Sequence, residues 1–91
     1  MTEKEKLGAE FRKLREGIPS TEHNNCISQQ ELADSNIGLT KFLIGTIERG
    51  DANPTLEKLI FLAKALNLKT VTILNVEINI DKFIKENSRE K

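Results

Sequence analysis

Ser28, Gln29 and Gln30 stand together, and Thr40, Lys41, Phe42 and Thr46 follow within one short stretch, SQQELADSNIGLTKFLIGTIERGDANPT, residues 28–55. Neutral and cationic donors clustered at helix starts bind phosphate oxygens and the edges of bases. Bond-making chemistry is poorly supplied. His23 and Cys26 are the chain's single histidine and single cysteine. They have no second pair to complete a tetrahedral metal site and no oriented base to activate a nucleophile. Neither GxGxxG nor GxxxxGK occurs. No catalytic residue, metal or cofactor is expected.

The spacing predicts the elements that hold these groups. Ser28 as N-cap, with Glu31 three residues on, makes a capping box, and Leu32 and Ala33 give the apolar side of a helix of roughly two turns. Gly38 interrupts it, Thr40 caps a second helix over 40–49 with Ile44 and Ile47 as its buried stripe, and Gly50 supplies a left-handed stop. In such a pair the outward side chains at the first, second and sixth positions after the second cap reach base edges in a major groove. Those are Lys41, Phe42 and Thr46. Lys41 could donate to guanine or to a phosphate, or be merely solvated; Thr46 could meet a base or bond back to its own helix. Phe42 and Leu43 are apolar neighbours that should face partly outward. Either Phe42 packs on thymine methyl groups, or the turn brings Ile37 or Leu39 beneath it. Gly45, which costs roughly 1 kcal/mol inside a helix, serves close approach to a DNA backbone or to the preceding helix. Gln29 is the main candidate for a phosphate oxygen, with Ser28, Gln30 and Thr40 beside it. Arg49, Asn53 and Thr55 flank the next loop and could clamp another phosphate, although Arg49 could equally cap carbonyls.

Other elements follow from periodicity. Leu7, Phe11, Leu14 and Ile18 make 4–17 an amphipathic helix. Thr55 caps a helix over 56–66 carrying Leu56, Leu59, Ile60, Ala63 and Leu66. The segment 69–80 is ambiguous, because Val71, Ile73, Val76, Ile78 and Ile80 have strand propensity. Residues 81–91 could form a short helix from Asp81 and then a frayed end.

Composition sets bounds. Ninety-one residues make one small domain, and a chain of this size buries only about 60% of its unfolded surface, so a partner subunit is a reasonable addition. Phe61, Leu62, Val71, Ile73 and Leu74 widen the apolar surface beyond one core stripe and are the expected homodimer interface. Fourteen basic and fourteen acidic residues cancel, which argues for weak generic DNA affinity. No apolar run is long enough to span a membrane and the charged start, MTEKEKLG, has no apolar signal region after it, so a soluble, cytoplasmic protein is expected.

The blocks LGAEFRKLRE (7–16), SQQELA (28–33), LTKFLIGTIERG (39–50), NPTLEKL (53–59) and LAKALNL (62–68) together resemble the lambda-repressor-like, XRE-type helix-turn-helix regulators. The helix at 40–49 is similar to that of restriction-modification controller proteins. The resemblance implies an all-α, lambda-repressor-like domain of about five helices over 1–76, with the helix-turn-helix at 28–50 and a tail at 77–91. It implies a short fifth helix near 70–75, with the alternation of Val76, Ile78 and Ile80 leaving 76–80 extended, and an ion pair between Arg15 and Glu48 as scaffold. Its implied function is sequence-specific binding of an operator as a homodimer, in transcriptional regulation. The alternative is an antitoxin that binds both operator and a toxin protein; a module that has lost DNA binding is a third reading. The chain departs from the family in the longer stretch between Glu16 and Ser28, expected to be a surface excursion, and in a slightly longer turn before the second helix.

Overall fold

The protein is described here by a computed structural model covering residues 1–87. Helix α1 spans Glu3–Glu16, started by a full capping box in which the Thr2 hydroxyl accepts from the Glu5 N–H and the Glu5 carboxylate accepts from the Thr2 N–H. Its buried face is Gly8, Phe11 and Arg15. The expected Leu7–Phe11–Leu14 stripe is therefore shifted, and Leu7 and Leu14 are exposed. Gly8 sets this rotation: a Cβ there would run into the carbonyl oxygens of Ile47 and Glu48, so α1 crosses α3 at backbone contact.

Helices α2 (Gln29–Asp34) and α3 (Lys41–Arg49) follow, with α4 over Leu56–Ala65. Each is started by a hydroxyl cap: Ser28 accepts from the Glu31 N–H, Thr40 from Leu43 and Thr55 from Lys58. Gly38 (φ 86°) and Gly50 (φ 79°) take the left-handed backbone that ends the turn and α3 respectively. Phe11, Ile27, Leu32, Leu39, Ile44, Ile47 and Leu62 form the main core across α1 to α4. Full burial of Leu32, Ile44 and Ile60 removes side chains worth roughly 1.5–3 kcal/mol each from water.

The fold is not purely all-α. Where a fifth helix was expected at 70–75, strands β1 (Thr70–Ile73) and β2 (Val76–Asn79) pair antiparallel, Val71 opposite Ile78 and Ile73 opposite Val76. β-Branched residues at 70–73, 76 and 78 favour the pleated backbone. Leu74 (φ 52°) and Asn75 (φ 66°) make a two-residue turn with both central residues left-handed, the geometry that matches strand twist. Helix α5 then runs Ile80–Glu86, capped by Asn79 rather than starting at Asp81. Ile80 is fully buried with Ile60 and Ala63 of α4, and Phe83 and Ile84 pack on them. The boundary expected after residue 76 thus falls inside β2, and what was expected to be a tail is part of the second core. The expected frayed end at 88–91 lies outside the described residues.

Candidate nucleic-acid interface

One largely buried network ties the start of α2 to the end of α3. Arg15 on α1 makes a two-pronged pair with Glu48 on α3, Nε to Oε2 at 2.6 Å and Nη2 to Oε1 at 3.0 Å, and its Nη1 donates to the Ile27 carbonyl at 2.7 Å. Both side chains are almost wholly buried. The hydrogen bond that Arg15 donates to Glu48 raises the Arg15 pKa from its ordinary value, and burial opposes it. Gln29 joins the same carboxylate, donating from Nε2 to Glu48 Oε1 at 2.9 Å. One carboxylate therefore fixes the start of α2 against the end of α3, with α1 as the third member.

The excursion between α1 and α2 is closed by antiparallel backbone bonds, Ile27 N to Ile18 O at 2.7 Å and Ser20 N to Asn25 O at 2.9 Å. Its anchor is Glu31. This buried carboxylate turns to the loop, accepting from Ser20 Oγ at 2.7 Å and from the Thr21 N–H and hydroxyl at 3.0 Å each. The Ser20 hydrogen bond does most to hold the carboxyl below its usual range, the Thr21 bonds add to it, and burial opposes them. Glu31 was expected only as the second half of a capping box. Its role as anchor could be read only once the loop was known to fold back over α2.

On the outer face of α3, Lys41 is exposed and has no ion-pair partner among the described residues. Phe42 is 77% exposed. Leu39 lies in the core and Ile37 is 92% exposed, so the turn does not cover Phe42 in the sense expected. Leu43 instead packs against the core. The Thr46 hydroxyl donates back to the Leu43 carbonyl at 2.8 Å, and Gln30 Nε2 donates to Asp34 at 2.8 Å. Arg49 Nε donates to Asp51 at 3.2 Å. Ser28, Thr40 and Thr55 use their oxygens as caps, which leaves each hydroxyl proton available to an external acceptor. Asn53 is exposed in the loop before α4. Gln29, Lys41, Phe42, Gly45 and Arg49 come together around a single surface notch of about 310 Å³.

The turn between α2 and α3 is clamped from α4. Lys58 Nζ donates to the Gly38 carbonyl at 2.8 Å and lies 5.8 Å above the Phe61 ring, which in turn lies against Gly38. Phe61 thus supports its own turn. Leu62, expected at a dimer interface, is 2% exposed and sits in the monomer's core, because α4 turns that side chain toward α1–α3. Val71 is half-buried against the second core, Ile73 is half-buried, and Leu74 is 91% exposed at the hairpin tip.

Among the described residues no group of three or more His, Cys, Asp or Glu side chains is placed to hold a metal ion, and no helix is long and apolar enough to cross a membrane. The helix-turn-helix family model matches residues 27–73, more than half of the chain. Control protein C.SmaI of Serratia marcescens is 43% identical over 61 residues, covering 67% of this chain and 71% of that protein. No solved structure gives a significant match. Two capped helices joined through a left-handed glycine, the Arg15–Glu48 brace behind them and these two comparisons agree: the chain belongs to the XRE-type helix-turn-helix family of DNA-binding transcriptional regulators.

Proposed function

We propose that this regulator binds its operator as a homodimer with α3 in the major groove, and that it controls the genes of a restriction–modification system, its own among them. The observation that carries the DNA-reading half is the exposed start of α3 on a buried brace, with Lys41 and Phe42 outward and Ile44 and Ile47 inward. Lys41, Phe42 and Thr46 are the base-contacting candidates, Thr46 after release of its bond to Leu43. Ser28, Gln29, Gln30, Thr40, Arg49, Asn53 and Thr55 are the phosphate-contacting ones.

Zero net charge weighs less against this than the totals suggest. Of the acids between residues 28 and 50, Glu31 is buried against Ser20 and Thr21 and Glu48 is neutralised by Arg15. Asp34 is left as the exposed acid of that segment, against Lys41 and Arg49. The controller assignment is supported by the printed name of the Serratia relative and by the similarity of α3 to controller proteins. Nothing in the fold or the comparisons favours the antitoxin reading.

Self-association is supported by the hairpin. Val71, Ile73, Val76 and Ile78 share one face by register; Val71 and Ile78 cover the second core, while Val76 is 59% exposed and Leu74 is 91% exposed. Apolar groups left uncovered in a small domain mark a contact surface. Two-fold pairing would set two α3 helices about 34–36 Å apart, one turn of DNA. The test is anisotropy titration of a labelled duplex taken from upstream of the protein's own gene, with sedimentation of the complex. Tight, salt-dependent binding of two chains per duplex supports the reading. Equal affinity for a scrambled duplex, or one chain per duplex, counts against it.

A further inference from the structure

A groove of about 550 Å³ lies between the α2–α3 turn, α4 and α5. Its floor is apolar: Phe61 of α4, Phe83 and Ile84 of α5, and Ile37 of the turn, which is 92% exposed. Phe83 and Ile84 also pack on the second core, and Phe61 packs on the main core and lies against Gly38, so three of the four floor residues are held from behind. A hollow of this size, with an aromatic floor and a few polar groups around it, suits a small organic molecule.

The polar groups at the rim select which one. The Ser35 hydroxyl donates to the Glu31 carbonyl, and the Nδ2 atoms of Asn36 and Asn87 donate to the Leu32 and Phe83 carbonyls, each at 2.8 Å. A carbonyl partner fixes the amide nitrogen as the atom it meets, so the Oδ1 of both asparagines is the acceptor left over. None of these three side-chain oxygens accepts a hydrogen bond from another described residue. Glu57, in the first turn of α4, has no ion-pair partner among the described residues. The cations nearby are already engaged: Lys64, which lines the groove, pairs with Asp81 at 3.1 Å, and Lys58 donates to the Gly38 carbonyl at 2.8 Å. What remains on offer is one carboxylate and three neutral acceptors. Their complement is a donor-rich cation carried on an apolar body, whereas an anion would meet Glu57 with no uncommitted cation to offset it.

We propose that this groove is an effector site for a small organic cation, an ammonium or guanidinium group on an apolar body. The body lies on Phe61, Phe83 and Ile37, and the cation faces Glu57 and the rim oxygens. Ser35, Asn36 and Ile37 belong to the turn that joins α2 to α3, and Phe61 supports Gly38 in the same turn. The groove exists in the conformation that holds α3 outward on its brace, and a ligand shifts an equilibrium toward the state it fits. Occupancy therefore favours DNA binding. This coupling rests on the DNA-reading function proposed above; the site itself does not.

The probe is phenylbutylamine at neutral pH, compared with phenylbutanol and phenylvalerate, which keep the apolar body and change the charge. Amide chemical-shift titration should place the amine at residues 35–37, 61 and 83–87 with about millimolar affinity, as befits a molecule of its size. The amine should bind about fivefold more tightly than the alcohol, the increment of one exposed carboxylate, and the acid more weakly than either. Glu57→Gln should remove the amine's advantage, while Ile37→Ser weakens amine and alcohol alike; both positions are exposed, and wild-type melting of both variants checks their folding. At constant ionic strength, saturating amine should raise affinity for the upstream duplex about threefold, and saturating duplex should raise affinity for the amine by the same factor. Equal binding of the three probes, or an amine preference that survives Glu57→Gln, overturns the site. So does an amine that binds only by splitting a dimer in sedimentation, since a second copy would then be the occupant. Amine binding that leaves duplex affinity unchanged or lowered overturns the effector role. Failure of the amine-free protein to bind the duplex would instead remove the DNA-reading function, and the site then stands or falls on the chemical-shift titration.

Discussion

Glu48→Ala removes the acceptor that joins α1, α2 and α3, and its cost follows from what is left behind. Arg15 keeps only the Ile27 carbonyl as partner, and Gln29 loses its acceptor. Because both members of the pair are buried, the stranded guanidinium should cost about 3–5 kcal/mol. A domain of this size has about 5–14 kcal/mol in all. The variant should therefore melt about 12–40 °C lower, and part of the population is unfolded at room temperature if the wild type lies at the low end. The assay is urea unfolding followed by far-ultraviolet circular dichroism, which gives the midpoint and slope together. Replacing both partners, Arg15→Met with Glu48→Leu, should recover most of the loss, since no bare charge remains. The recovery is incomplete because the Ile27 carbonyl and the Gln29 amide lose partners. A coupling of at least about 1.5 kcal/mol between the two sites is expected. A loss below about 1 kcal/mol in Glu48→Ala, or a double variant that loses the sum of the two singles, would refute the argument that the pair acts as a buried unit.

Two further outcomes follow from named contacts. Glu31 has its carboxyl held below the usual range in the folded protein, so its contribution is complete above that range and is lost as pH falls through the folded value. Urea midpoints of the wild type and Glu31→Gln should differ at neutral pH and converge in acid, and parallel curves would contradict the anchor role. Leu74 holds a left-handed backbone at φ 52° while 91% exposed; Leu74→Asn should therefore gain about 1 kcal/mol in monomer stability and weaken self-association. A variant that is stabilised yet sediments as the wild type does would take Leu74 out of the interface.

The helix-turn-helix was legible because its signals are local. Ser28, Thr40 and Thr55 cap in the structure as their types and positions imply, and Gly38 and Gly50 take the left-handed backbone. The Arg15–Glu48 pair is present, yet only the resemblance implied it, since no local pattern links residues 33 positions apart. Where the resemblance and local propensity disagreed, at 70–79, propensity described the backbone better: a row of β-branched residues and a Leu–Asn turn formed a hairpin. Non-local facts stayed hidden. The rotation of α1 depends on Gly8 meeting α3 backbone, and the burial of Leu62 depends on how α4 lies across the core. Gly45 was legible as a point of close approach, and it does face Gln29 at the start of α2.

The claim that α3 reads base edges is tested most directly by the specificity ratio, the affinity for the upstream duplex divided by that for a scrambled one, measured for the wild type and for Lys41→Ala and Thr46→Ala. Lys41 is exposed and Thr46 is half-buried with only a bond within its own helix, and neither belongs to the brace, so both variants should fold as the wild type does. Each lost base contact should lower the ratio by about 1–3 kcal/mol, roughly 5- to 150-fold. An unchanged ratio in both variants, with folding intact, would contradict the assignment of α3 as the reading helix.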